Sequence, residues 1–248
     1  MNTTLAVLVA MAVAMPAIAQ VDSQKACPSD EAKRLHPSVR AAVAREKLGV
    51  EAVTGGQFGP DRMLITVLAP LSFFDCSNVS SIAGPTARHL VAWTQVSDGW
   101  REVARNSEVL YSIDTFGGGS ISMEVISNGF RLQQSASAPR YERSDALTFR
   151  YDSTLPGLRI TQWATREFRN DNGLGPRGDE ENWKILNERM DKDPRVSPFD
   201  GYRGEVDFAI GKGWIESTAW AELPRLRRFS PPSSPISLSN ARWPFPQK

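Results

Sequence analysis

Between residues 89 and 161 the chain repeats one pattern: a run of alternating apolar and polar residues, a turn signal, and a second such run. Alternation with period two puts the apolar side chains of each run on one face, which suits antiparallel strands with one wet face and does not suit a helix. The first pair joins His89–Val96 to Trp100–Arg105 through Asp98-Gly99, a dipeptide that supplies the positive φ angles of a type I′ turn. The second joins Ser120–Ile126 to Phe130–Gln133 through Asn128-Gly129, with Ile121, Met123 and Val125 facing one way. The third runs from Leu147–Tyr151 to Leu158–Thr161 and turns at Pro156-Gly157. A fourth is expected from Glu205–Ile210 through Gly211-Lys212-Gly213 into Trp214–Ser217. The fold class that follows is mainly β, an antiparallel meander of hairpins closed as a sandwich or as a partial propeller. The turns recur at roughly 30-residue intervals, but their flanks are not self-similar enough to define a repeat.

The remaining segments fit around that sheet. One N-terminal helix is expected over about Pro37–Leu48, with Val39, Ala42, Val43 and Leu48 on its apolar side and Gly49 as its stop. Gly55-Gly56 and Gly59-Pro60 read as a loop, and Met63–Leu68 as a buried strand. A polar insertion, Asn170–Asp200, carries a short helix at Glu180–Met190 whose Trp183, Leu186 and Met190 share a face. It packs on the sheet edge or hangs as a flap. From Pro224 onward Pro231, Pro232, Pro235, Pro244 and Pro246 forbid helix and central strand alike, so residues 224–248 form an extended tail after a single domain spanning 20–223. Trp243 and Phe245 imply that the tail docks, because free aromatic side chains in water are unfavourable.

The first residues bear on compartment. Leu5–Met15 is an apolar run, Pro16 breaks it, and Ala17-Ile18-Ala19 is the small-x-small pattern that a signal peptidase needs, so cleavage is expected after Ala19. Met1–Thr4 contains no Lys or Arg, which departs from the usual basic start. The run is too short to span a bilayer, which takes about 20 apolar residues, and Cys27 lacks the lipobox of a lipoprotein. The expected product is a periplasmic or secreted protein with no membrane anchor. In that oxidising compartment Cys27 and Cys76 are expected to form a disulfide, which stabilises by about 4 kcal/mol in the chain-entropy model. No Cys-x-x-Cys and no nearby His supports a redox or metal pair.

Composition narrows the function by exclusion. With 29 Lys and Arg against 28 Asp and Glu there is no global field to attract nucleic acid. Two histidines, His36 and His89, cannot build a multi-histidine zinc site, and no Gly-x-Ser-x-Gly elbow is present. The Gly173-x-Gly175-x-x-Gly178 pattern matches a dinucleotide loop, but the strand before it alternates instead of reading as continuously apolar. Asp191-Lys192-Asp193 opens like a calcium loop and fails at Val196 and Tyr202, leaving a looser oxygen set at Asp171, Asp179, Glu180 and Glu181. Neither a cofactor nor a metal is expected. The basic stretch Arg225, Arg227 and Arg228 reads as solvated, with contact to an acidic partner as the alternative. An aromatic-rich sheet without an assembled catalytic group points to a non-catalytic binding protein of the bacterial envelope, with Trp93, Trp100 and Trp163 as the candidate binding residues and an envelope protein or glycan as partner. The alternatives are an inhibitor or immunity protein against a lytic enzyme, and a wall-active hydrolase using carboxylates such as Glu102 and Glu124.

The strings Trp100-Arg101-Glu102-Val103-Ala104-Arg105-Asn106, Asn128-Gly129 and Thr148-Phe149-Arg150-Tyr151 together resemble a group of uncharacterised exported proteins of Gram-negative bacteria, which are similar to FG-GAP-like β-propeller fragments. The resemblance covers about Arg62 to Thr165 and implies blade-like hairpins. The Asp-x-Asp-x-Asp-Gly calcium segment of FG-GAP repeats is missing, so neither metal binding nor an activity is implied.

Overall fold

The computed structural model describes residues 32–33, 35–71, 87–111, 119–138, 141–155, 157–169, 180–231 and 236–246. The expected signal peptide, Cys27 and Cys76, Pro156, Asp171, Asp179 and the Gly173 to Gly178 loop lie outside them. The chain is mainly β, as the alternation requires. Helix α1 (Pro37–Arg45) precedes a four-stranded sheet in the order β1 (Leu48–Phe58), β2 (Asp61–Pro70), β3 (His89–Val96), β4 (Gly99–Asn106). The second sheet runs β5 (Gly119–Ile126), β6 (Gly129–Ala138), β7 (Tyr141–Tyr151), β8 (Leu158–Arg169), β9 (Asp200–Asp207), β10 (Lys212–Thr218), β11 (Arg225–Phe229), with helix α2 (Glu180–Lys192) between β8 and β9. All the pairings are antiparallel, and a two-residue strand, β12 (Ile236–Ser237), pairs with the start of β8 at Ile236↔Ile160, just before the β8–β9 pairing begins at Gln162↔Asp207.

The hairpins form where the turn signals fall, but the glycines act differently from expectation. At the β5–β6 turn only Asn128 takes a left-handed φ, +57°, while Gly129 already belongs to β6. A Cβ on Gly129 would lie 2.0 Å from the Phe149 carbonyl oxygen, so strand approach and not turn geometry demands this glycine. At the β3–β4 turn Asp98 has no positive φ, so the expected type I′ geometry is replaced by a Ser97-Asp98 turn followed by Gly99 at φ +145°. The fourth hairpin also shifts: β9 stops at Asp207, whose carboxylate accepts from the Ala209 and Ile210 amides, and residues 208–211 make the turn. Helix α1 ends before Gly49, because Lys47 at φ +57° reverses the chain directly into β1. The expected loop at Gly55-Gly56 is strand β1, paired at Gly55↔Leu64 and Gly56↔Met63.

Two layers of apolar packing follow. Val39 and Val43 of α1 cover Leu68, Val91 and Trp93 on the outer side of the first sheet. The inner sides of both sheets share one core, in which Phe130 stacks on Phe149 at 4.9 Å and faces Phe58 at 6.4 Å. Burial of side chains this large is the main stabilising contribution, about 2 kcal/mol or more for each. The first sheet has four strands and the second seven on its main path, so sheet-on-sheet packing leaves part of the larger inner face to other cover. The C-terminal segment supplies it. Asn106 at the end of β4 donates through Nδ2 to the Leu238 and Ala241 carbonyls, 2.7 Å each, and its Oδ1 accepts from the Glu108 and Val109 amides. From that anchor Trp243 reaches Trp163 at 5.7 Å and Phe245 reaches Phe229 at 6.0 Å. Gly204 makes the room: a Cβ there would be 2.7 Å from the Phe245 ring. The expected docking of Trp243 and Phe245 is thus seen, while Arg225–Phe229, expected within the extended tail, forms the last strand of the sheet.

Candidate functional site

Strand register divides the inner face of the second sheet into an apolar end and a polar end. Leu132, Leu147, Trp163 and Val206 form the last apolar row across β6 to β9. The next row places Gln134, Asp145, Thr165 and Gly204 side by side, and the row beyond it Ala136, Arg143, Glu167 and Tyr202. Thr165 donates to Asp145 at 2.6 Å, and Tyr141 and Tyr202 donate to one oxygen of Glu167 at 3.1 and 2.6 Å. Burial raises the Asp145 pKa against the opposing pull of Arg143 and Thr165. Burial, then the charge of Glu167, pushes the Tyr141 hydroxyl up to about 12, and burial with the Glu167 hydrogen bond raises Tyr202 further. The Arg143 guanidinium lies 4.7 Å from the Tyr111 ring and 4.4 Å from the Trp243 ring. Burial works against its charge, but Asp145 and the surrounding phenols prevail and its pKa rises. Tyr111 Oη, Arg143 Nε, Asp145 Oδ2 and Trp163 Nε1 are buried in this region and make no hydrogen bond. Chemically the cluster is a charged clamp. It holds the C-terminal segment by Trp243 and stiffens the end of β7, β8 and β9.

A groove opens at the same end of the sheet. Phe168, Ser197, Phe199, Arg203, Glu216 and Thr218 line a cavity of about 180 Å³, floored by β8, β9 and β10. Its outer wall is held firmly: the Ser197 amide donates to the Glu222 carbonyl and the Ala221 amide returns to Ser197, while Leu186 of α2 packs on Val196 and Ala221. Arg189 of the same helix donates to the Ala221 carbonyl at 2.8 Å. Within the groove Arg203 donates to Glu216 at 2.9 Å; on β8 the Arg166 guanidinium, paired in register with Arg203, stacks 4.2 Å from the Phe168 ring. A carboxylate and a guanidinium side by side, next to two phenyl rings, offer acceptor and donor to vicinal hydroxyls and an apolar face to the ring that carries them.

The residues singled out from sequence fall elsewhere. Trp93 is buried under α1, its indole donating to Thr66 at 3.0 Å, and half-buried Trp100 packs on the same side. Trp163 is buried in the other sheet, so the three tryptophans share no surface. Glu102 pairs with Arg105 at 2.8 Å and Glu124 with Arg131 at 3.3 Å, on different sheets. His36 accepts from the Ser38 amide at the start of α1, and His89 is hydrogen-bonded to Ser107 at 2.6 Å, its pKa lowered by burial and then by Arg105. Glu180 and Glu181 open the first turn of α2, where negative charge complements the helix dipole. Among the described residues, no group of three or more His, Cys, Asp or Glu is placed to hold a metal ion. The polar row was open to sequence reasoning: Arg143 and Asp145 share the parity of Leu147 and Phe149 on β7 and must face inward with them. The groove had no such signal, since its walls come from separate strands and a loop. In comparison with family models, curated proteins and solved structures the chain finds no match, so the functional reading rests on this geometry.

Proposed function

We propose that the protein is an exported, non-catalytic binding module of the bacterial envelope, released after Ala19, and that the groove over Arg203 and Glu216 receives one end of an envelope glycan. The carrying observation is the groove itself, in which a hydrogen-bonded guanidinium–carboxylate pair lies beside Phe168 and Phe199 on a stiff sheet end. Its volume of about 180 Å³ is below the range usual for drug-sized ligands, which suits a terminal sugar more than an enclosed small molecule. The separation of Glu102 from Glu124 on two sheets, each engaged by an arginine, favours binding over hydrolysis by that pair. Calorimetric titration with soluble peptidoglycan glycan fragments tests the reading. Wild-type protein is expected to bind, and Arg203→Ala is expected to weaken binding by about tenfold, the loss of roughly one charged hydrogen bond. Equal affinity of the variant, or hydrolysis of the fragments, would count against it.

A further inference from the structure

Each sheet has two edges, and among the described residues three of the four are held at one or both ends by another part of the chain. The edges of β1 and β5 face each other, with the Gly59 amide donating to Asn128 Oδ1 at 2.7 Å across the seam. The β4 edge receives Ser38 of α1, whose Oγ accepts from the Trp100 amide at 3.0 Å, and at its other end the Asn106 side chain holds the C-terminal segment. The remaining edge is β11, which pairs with β10 alone among the described strands. Arg225, Leu226, Arg227 and Arg228 are all exposed on it, and Leu226, an apolar residue, is 54% exposed. Alternation puts Arg225 and Arg227 on one face of the strand and Leu226 and Arg228 on the other.

We propose that β11 is a docking edge for an extended acidic segment of a partner protein, which adds to the sheet as a further antiparallel or parallel strand. An open edge presents unpaired amides and carbonyls, so main-chain hydrogen bonds supply affinity and alternate side chains supply choice. Arginine on both faces of the edge selects a segment carrying Asp or Glu on both of its faces. Formal charge over the chain is only +1, so this selection is local to the edge and does not come from a general basic field. A second copy of the chain is a poor occupant: antiparallel pairing of two β11 strands centred on Arg227 sets that arginine against itself, and like charges directly opposite destabilise. Arg225 is engaged by Glu222 at 2.6 Å, an exposed pair that an incoming carboxylate can exchange at little cost. The edge adjoins the glycan groove, with Leu226 beside Glu216 in the register, but strand addition uses the β11 main chain and glycan binding the Arg203–Glu216 pair, so different measurements decide the two readings.

Fluorescence anisotropy with a labelled seven-residue peptide of sequence Glu-Glu-Thr-Glu-Glu-Thr-Glu, which carries Glu on both faces when extended and is capped at its ends, tests the proposal. Wild-type protein binds this peptide and not its Lys-for-Glu counterpart, and the triple variant Arg225→Glu, Arg227→Glu, Arg228→Glu weakens binding by about tenfold or more. A peptide N-methylated at every residue keeps the charge but has no amide donor on either edge, so it cannot complete a ladder, and it is expected to lose binding to the unaltered protein. Equal binding of the methylated and unmethylated peptides overturns strand addition, as does failure of the acidic peptide to bind or a concentration-dependent dimer that the triple variant abolishes. The methylation arm needs no variant, so it decides the matter even if the triple variant folds poorly. Glycan titration of the same sample shows whether the groove reading fails with it or survives.

Discussion

Asp145 is the residue at which burial, charge and packing meet most directly. Its carboxyl is raised by burial, with Arg143 and Thr165 pulling the other way. A raised pKa in the fold means that the ionised form is less welcome there than in the unfolded chain. The contribution of Asp145 to stability is therefore full below the ordinary aspartate value of about 4 and is lost as pH rises through the raised folded value. Asp145→Asn removes the ionisation but also leaves Arg143 without its carboxylate, so the variant's melting temperature relative to the wild type is expected to be more favourable at pH 7 than at pH 4. Circular dichroism melts across that range check it, and a variant less stable only at pH 7 would contradict it. Gly129 gives a second test at this scale. Gly129→Ala puts a methyl against the Phe149 carbonyl and is expected to cost about 2 to 3 kcal/mol in chemical denaturation. Sequence marked Gly129 as special for the wrong physical reason: Asn-Gly signals a turn, whereas the demand for a bare backbone comes from β7, where Phe149 and Arg150, 20 and 21 residues away in the chain, approach it.

At the scale of elements, the C-terminal segment does work that a strand would otherwise do. It covers the inner face of β8 to β11 with Trp243 and Phe245 and is fixed to β4 through Asn106. Trp243→Ala removes contacts with Trp163, Tyr202, Phe245 and Arg143 and is expected to destabilise by about 3 to 5 kcal/mol. The same denaturation assay reads this loss. A similar cost is expected at the other side of the fold, where Arg88 grips Glu51 of β1 with two hydrogen bonds of 2.8 and 2.6 Å. Glu51 is buried enough for its pKa to be raised in spite of that partner, so Arg88→Met leaves an uncompensated carboxylate and is expected to cost about 3 kcal/mol at pH 7, less in acid. The elements themselves were legible to differing degrees. Alternation and turn signals located β3 to β8; in β8 local period and burial agree, whereas β3 is buried on both faces, under α1 on one side and in the shared core on the other. Strand β1 was hidden by Gly55-Gly56, which locally signal a loop but are placed in a strand by pairing with Met63 and Leu64. Strand β11 was hidden by the prolines that follow it, although an edge position tolerates what a central strand would not.

The whole molecule is a sandwich of unequal sheets, with a helix on the smaller and a C-terminal strap completing the larger. Exposed His36 is hydrogen-bonded to Ser38 and half-buried His89 to Ser107, while Glu102 and Glu124 are each paired with an arginine. Sequence alone directed attention to the most apolar side chains, Trp93, Trp100 and Trp163, since large aromatic residues are the usual anchors of a binding surface. Packing claims two of them for the interior, and the proposed recognition falls instead to residues of ordinary appearance, Phe168, Phe199, Arg203 and Glu216, that only strand register and the 197 to 199 loop bring together. Compartment is open to the same kind of check: the account predicts a processed chain beginning at Gln20 in an envelope fraction, whereas an uncleaved chain confined to the cytosol would remove the envelope glycan from reach. The most direct measurement is chemical-shift mapping of the isotopically labelled, processed protein as soluble peptidoglycan glycan fragments are added. The account predicts saturable shifts centred on Ser197, Phe199, Arg203, Glu216 and Thr218. Absence of shifts at millimolar fragment, or shifts centred away from this groove, would contradict it.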